Sequence, residues 1–217
     1  MAADTSTTSK TKDPMWTPFY WFVGVVSFPV VRGLFRLRGR GLENLPEGGF
    51  ILAANHLSNL DPWAIGFPLW PGRRLRWMAK VELFNPVLTP ILRRGGAFPV
   101  HRGMRDATAI RTAIDLARGG DVIVMFPEGT RRKKGLRKKF RPKAHTGSAR
   151  IAMSAGVPLV PAAIAGTDRL TRLGPLRVAY GTPVQLDDLH AHDPATAAEI
   201  ATDRLMERIA QLEEGLR

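Results

Sequence analysis

The sequence predicts an α/β fold: a largely parallel, mixed sheet flanked by helices, with an apolar helical segment in front of it. Two observations carry this. From residue 49 onward, short apolar runs alternate with longer stretches of helical periodicity, the pattern of strands joined by helical crossovers. The 217 residues, 44% hydrophobic and 24% charged, suffice for one domain with a sizeable core and argue against disorder or a repeat array.

In chain order, residues 1–13 hold six Ser/Thr and no apolar periodicity, and read as a disordered tail. Residues 14–31 (PMWTPFYWFVGVVSFPVV) carry no charge and hold six of the 17 aromatics. As a helix they reach about 27 Å, short of the ~30 Å hydrocarbon core, and Pro18 and Pro29 bound them. The Arg32-Gly33-Leu34-Phe35-Arg36 that follows is no signal-peptide cleavage site. Val30, Val31, Leu34, Phe35 and Leu37 continue the apolar pattern, with Arg32 and Arg36 on another face. Residues 14–38 are therefore expected to form amphipathic membrane-anchor helices lying in the bilayer surface, followed by one catalytic-sized domain over 39–217.

Strands are expected at 50–54, 75–79, 97–100, 122–126, 159–165 and 178–180. Asp61-Pro62 reads as an N-cap followed by proline at the first helical position, opening a helix over 63–70. Residues 105–118 place Ala107, Ile110, Ile114 and Ala117 on one face, with Asp106 in the first turn. Thr146 is placed to cap a helix ending at Gly156, and Asp193-Pro194 opens a final helix with a Leu205, Ile209, Leu212, Leu216 stripe.

Charge and cysteine content narrow the function classes. Of the formal charge of +13, nine positive charges lie in 131–143 (RRKKGLRKKFRPK), so one loop points to an anionic partner. A nucleic-acid-binding module is the rival from another class, but Phe140 is the run's lone aromatic and a stacking platform is missing. A basic loop beside an aromatic interfacial segment fits an anionic membrane surface better, on its cytoplasmic face. Zero cysteines remove thiolate metal sites and a thiol nucleophile, and His190-Ala191-His192-Asp193 reads as a solvated loop, so no metal is expected.

In open α/β sheets, function gathers beyond the carboxyl ends of the strands. Here three expected strands run into polar residues: Asn55-His56 through Asp61, His101-Arg102, and Pro127-Glu128-Gly129-Thr130-Arg131. His56 and Asp61 have the HxxxxD spacing that lets a carboxylate fix one imidazole nitrogen and leave the other as a base. His101 and Asp106 repeat that spacing and are expected to be a helix-start pair without chemistry. No GxSxG elbow is present, so a base acting directly on a substrate hydroxyl is the implied chemistry.

Four segments together resemble the glycerolipid acyltransferase family of 1-acyl-sn-glycerol-3-phosphate acyltransferase: Asn55-His56 through Asp61, Gly96 through Arg102, Phe126 through Arg131, and Val157-Pro158-Leu159-Val160-Pro161. The resemblance covers roughly residues 40–185. It implies transfer of an acyl group from acyl-CoA or acyl carrier protein to the free hydroxyl of lysophosphatidic acid, with no further cofactor and no covalent acyl-enzyme. It further implies His56 as general base and Asp61 as its orienting partner. Lys80, Arg102, Glu128, Gly129, Thr130 and Arg131 then hold the acceptor's phosphate and glycerol, and Pro161 shapes the acyl or donor channel. Glycerol 3-phosphate or another lyso-lipid is the alternative acceptor. One departure from the family pattern is Arg132, where many members have a small polar residue.

Overall fold

The structure, a computed structural model, describes residues 18–101, 106–131 and 144–216. The expected sheet forms with seven strands: β1 (Arg38–Arg40), β2 (Phe50–Ala54), β3 (Leu75–Lys80), β4 (Ala97–Val100), β5 (Val122–Met125), β6 (Leu159–Ala165) and β7 (Arg177–Tyr180). Their spatial order is β1-β7-β6-β2-β5-β3-β4, parallel throughout except for the antiparallel β6–β7 pair. β2 sits in the middle and is buried along its whole length, which its all-apolar FILAA requires.

Among the described residues six α-helices connect or flank these strands: α1 (Pro18–Pro29), α2 (Asp61–Gly66), α3 (Thr89–Arg94), α4 (Ala107–Arg118), α5 (Gly147–Ala155) and α6 (Pro194–Glu214). The pleat sorts them. Ile51, Ala53, Ile123 and Leu159 point into one core, shared with α4, α5 and α6. Their neighbours Leu52, Ala54, Val122, Val124 and Val160 point the other way, into a core with α2 and with Val31 and Leu37. Crossovers that step outward, β2–α2–β3 and β3–α3–β4, must use the opposite face from those that step back, β4–α4–β5 and β5–α5–β6, if all are right-handed. The α3 helix therefore shares the α2 side.

Several expectations shift. The apolar stripe of α4 is Ala109, Ala113 and Ala117, while Ile110 is exposed, because small residues let the helix approach the sheet and α5 closely. In α6, Leu205 and Ile209 are buried and Leu212 is partly buried; Leu216, expected in the same stripe, is buried just past the helix end at Glu214, and Asp193 caps the helix through the Ala195 and Thr196 amides. Asp106 is the N-cap of α4, accepting from the Ala109 amide at 2.9 Å, rather than a first-turn residue.

The N-terminal segment departs most. Residues 14–17 lie outside the described residues. The α1 helix has no charged residue and hence no polar face, so it is apolar rather than amphipathic. It docks through Gly24, whose Cβ would come within 2.4 Å of the Trp70 ring, with Trp21 edge-on to Trp70 at 5.3 Å. The amphipathic continuation over 30–38 does not form. A π-helical turn (Val30–Leu34) follows α1, Arg36 turns at φ 45°, and β1 begins at Arg38. Val31 and Leu37 are buried in the domain core, so the last part of the expected anchor belongs to the fold itself. Among the described residues no helix is long and apolar enough to cross a membrane.

At the amino ends of β3 and β5, Asp121 is held by Arg74 at 2.7 Å and Arg76 at 2.8 Å. On the opposite edge the amides of His101 and Ala109, and then the His101 ring, hold the Asp106 carboxyl down at about 2 from its ordinary 3.8. A depressed carboxyl stabilises the folded state fully above its unfolded value and loses that contribution as pH falls toward the folded one. Asp106→Asn should therefore flatten the acid limb of stability between pH 3.8 and about 2. Urea unfolding of both proteins across that range is the check, and their profiles should run parallel below it.

Candidate active site

Strand order places β2, β5, β3 and β4 side by side, so the residues leaving their carboxyl ends line one edge of the sheet in that sequence. Asn55 and His56 leave β2, Phe126 to Arg131 leave β5, and Lys80 ends β3. His101 follows β4, and Arg102 lies outside the described residues, as does 132–143.

The loop from β2 folds back so that His56 Nδ1 lies 2.8 Å from Asp61 Oδ2. Asp61 is completely buried and its side chain does not cap α2, which begins at Asp61 itself. Instead Oδ2 also accepts the Leu57 amide at 2.5 Å and the Ser58 amide at 2.8 Å, closing the five-residue loop around the carboxylate. The second oxygen, Oδ1, accepts the Thr167 hydroxyl at 2.5 Å. Thr167 follows β6 across Gly166 (φ +94°), so the carboxylate is gripped from two strands at once.

An ionised carboxylate only accepts, so the His56 proton in this pair is on Nδ1 and Nε2 is left as a lone-pair site. The His56 side chain is 14% exposed, and its ring stacks on Phe126 with centroids 4.2 Å apart and planes 18° from parallel. One residue earlier, fully buried Asn55 accepts the Ile164 amide at 2.8 Å and donates to the Ile164 carbonyl and to Glu213 in α6. Both neighbours of His56 in this edge are thus locked to β6 or β5. A rigid, oriented imidazole at a strand end can take a proton from a group presented to Nε2.

The β5 loop supplies the polar residues beside it. Glu128 is buried, and Thr130 and Arg131 are exposed. Gly129 adopts φ +69°, and a Cβ there would lie 2.7 Å from the ring of His145, whose backbone N–H donates to the Pro127 carbonyl at 2.8 Å. Lys80 is exposed one strand further out, opposite Val100 of β4. Pro161 does not join this edge. It is buried as the third residue of β6, and a Cβ on Gly181 would meet its Cγ at 2.9 Å and Leu212 Cδ1 at 3.2 Å. Its side chain belongs to the packing of the sheet against α6 and does not line the opening at His56.

The second HxxxxD is the internal comparison. His101 Nδ1 lies 3.0 Å from Asp106 Oδ2, nearly the distance of the first pair, yet the His101 side chain is 61% exposed and no described ring stacks on it. Spacing alone thus produces the bonded pair, and burial separates the two.

A sequence profile of the family described as Acyltransferase matches residues 36–165, more than half of the chain. The chain belongs to the acyltransferase family. Among relatives of this acyltransferase is the 1-acyl-sn-glycerol-3-phosphate acyltransferase of Bacillus subtilis, 34% identical over 180 residues that cover 80% of this chain and 86% of the relative. A chloroplastic enzyme of the same description from Brassica napus is 28% identical over 177 residues, and the match spans 49% of its length. The crystal structure of the 1-acyl-sn-glycerophosphate acyltransferase PlsC from Thermotoga maritima shares the fold, with a TM-score of 0.60 and 24% identity over 89% of this chain and 88% of that one.

Thr167 and His145 were not singled out in the sequence, and Asn55 and Phe126 stood there as the first residues of two motif segments with no role of their own. Gly166-Thr167 directly after an apolar strand was the available signal for Thr167, since strand ends at this edge collect polar residues. Thr167→Val removes a donor to a buried carboxylate oxygen at constant shape and should cost about 1–3 kcal/mol, while Thr167→Ser should restore most of it. Chemical denaturation of the three proteins measures both values.

Proposed function

We propose that this acyltransferase acts as a 1-acyl-sn-glycerol-3-phosphate acyltransferase, moving a fatty acyl group from a thioester donor, acyl-CoA or acyl carrier protein, to the free hydroxyl of lysophosphatidic acid. The observation that carries the reading is the buried, four-donor grip on Asp61, which orients His56 beside the loop that carries Glu128 and Arg131. The curated relatives of this description supply the substrate class.

In the proposed reaction His56 Nε2 takes the acceptor's hydroxyl proton as its oxygen attacks the thioester carbonyl. The new C–O bond forms, the tetrahedral centre collapses, the C–S bond breaks, and the thiolate leaving group takes the proton back from the imidazolium. Asp61 holds Nδ1–H throughout and stabilises the ring while it is charged. Lys80, Arg102 and Arg131 offer charge-assisted hydrogen bonds to the acceptor phosphate, and the buried Glu128 and the exposed Thr130 face its glycerol. Phe126, stacked on the ring, keeps it from rotating out of line.

The place of work is an anionic membrane surface. The exposed residues of α1, among them Phe22 at 64% and Val25 at 59%, form an uncharged patch that water does not favour. The basic run of 131–143 adds electrostatic attachment to anionic lipid.

His56→Ala should lower turnover by ~10²–10⁴, the usual loss of a general base, with the far-UV spectrum unchanged. His101→Ala should leave turnover nearly intact, and equal losses at the two positions would remove the assignment of His56 as base.

Arg131→Ala should raise KM for lysophosphatidate with little change in kcat, because a phosphate held alike in ground and transition states contributes uniform binding. Steady-state kinetics against an acceptor lacking the phosphate should show a much smaller effect.

A further inference from the structure

Outside the active-site edge, the largest group of exposed apolar side chains after α1 lies in the crossover from β3 to β4. Leu83 is 45% exposed, Val87 75%, Leu88 38% and Ile91 52%. These residues are not a loose loop. The Asn85 side chain accepts the Val87 amide at 3.1 Å and the Leu88 amide at 2.9 Å, and the Asn85 backbone carbonyl accepts both the amide and the hydroxyl of Thr89. This turn starts α3 and fixes Val87 and Leu88 in an outward position at a cost in apolar exposure that folding alone does not explain.

Three features say what covers the patch. Its surroundings are cationic, with Lys80, Arg93 and Arg94 against one acid, Glu82. It starts at the carboxyl end of β3, the edge that carries His56 and the β5 loop. The right-handed rule for such crossovers puts α3 on the α2 side of the sheet, where α1 docks on Phe67 and Trp70 in the segment that follows α2, and Phe126 under the His56 ring packs into that same side. The other side is closed by α4, α5 and α6.

We infer that the β3–β4 crossover, through Leu83, Val87, Leu88 and Ile91, is a second lipid-contacting surface that seats the active-site edge on an anionic bilayer together with α1. The inference rests on the membrane reading proposed above and extends it to a segment more than fifty residues beyond α1. Apolar side chains enter the headgroup boundary while the flanking cations meet lipid phosphates. An attachment at two places fixes orientation as well as affinity, so that an acceptor held in the leaflet by its acyl chain meets His56 without leaving the lipid.

The test compares three full-length proteins on vesicles of phosphatidylcholine with phosphatidylglycerol at high salt: wild type, Val87→Asp with Ile91→Asp, and Phe22→Asp with Val26→Asp in α1. Each double variant should lower vesicle partitioning by roughly tenfold or more. The crossover variant should lose activity on vesicle-borne lysophosphatidate while keeping wild-type activity on detergent-dispersed substrate. Val87→Ser with Ile91→Ser, which adds no charge, should show the same trend more weakly, and unchanged thermal midpoints establish that each variant is folded. If only the α1 variant loses binding, the crossover is not a lipid contact although the membrane reading stands. If wild type does not bind vesicles at all, the membrane reading fails first. A change of oligomeric state in the crossover variant with vesicle binding intact would assign the patch to a second protein chain and overturn the inference.

Discussion

A single buried carboxylate sets the architecture of the sheet edge that carries His56. Taking Asp61 wholly out of water is expensive unless its acceptor sites are filled, and here two amides, a hydroxyl and an imidazole fill them. Satisfying that charge fixes three things at once: the fold-back of 57–60, the tautomer of His56, and the position of the β6 exit at Thr167. Asn55 repeats the device one residue away by replacing the missing strand partner of Ile164 with its own amide. The edge between β2 and β6 is thereby zipped by side chains just where the backbone ladder stops, which is why the imidazole can be held still at a strand end.

The two HxxxxD segments show what such a spacing does and does not determine. Five residues bring His and Asp to hydrogen-bonding distance in both places, 2.8 Å and 3.0 Å. The difference lies in what else the carboxylate does. Asp106 spends its free oxygen on capping α4 and stays near solvent, with its partner ring in water. Asp61 spends its own on Thr167 in a dry interior, and its partner ring rests on Phe126. A pair in water is screened and interchangeable with solvent, whereas a pair excluded from it retains both geometry and field.

Strands β2 to β7 were legible because five of them are apolar runs with polar residues at their ends, and their bounds move by one residue at most. β1 was not, since Arg-Gly-Arg carries no apolar signature; it becomes a strand because β7 offers it a parallel partner. The motif residues His56, Asp61 and 128–131 were legible from spacing and position. Thr167 and Phe126 were not, because one hydroxyl and one aromatic acquire meaning only when β6 and β5 are known to flank β2. The N-terminal segment was misread in shape for a related reason: periodicity over 30–38 suggested a helix, but Val31 and Leu37 are claimed by the core and Arg36 turns the chain into β1.

The two sides of the sheet are finished differently. The α4, α5, α6 side is closed by long or alanine-rich helices that leave the strands no apolar exposure. The opposite side is covered by a six-residue α2, the uncharged α1 and, by the right-handed rule for its crossover, a six-residue α3 whose exposed charges are the two arginines of its last turn. Elements that short do not stand alone in water, since most helical stability comes from packing of an apolar face. They are tolerated here because each is pinned by a specific contact: α1 by Gly24 against Trp70, α2 by Tyr180 donating to the Ile65 carbonyl at 2.6 Å, and the approach to α3 by Asn85. Pinning from below leaves the outer surfaces free to remain apolar. A side built in this way keeps its shape without solvent on its outer face, which is the condition an enzyme must meet if its second substrate resides in a bilayer.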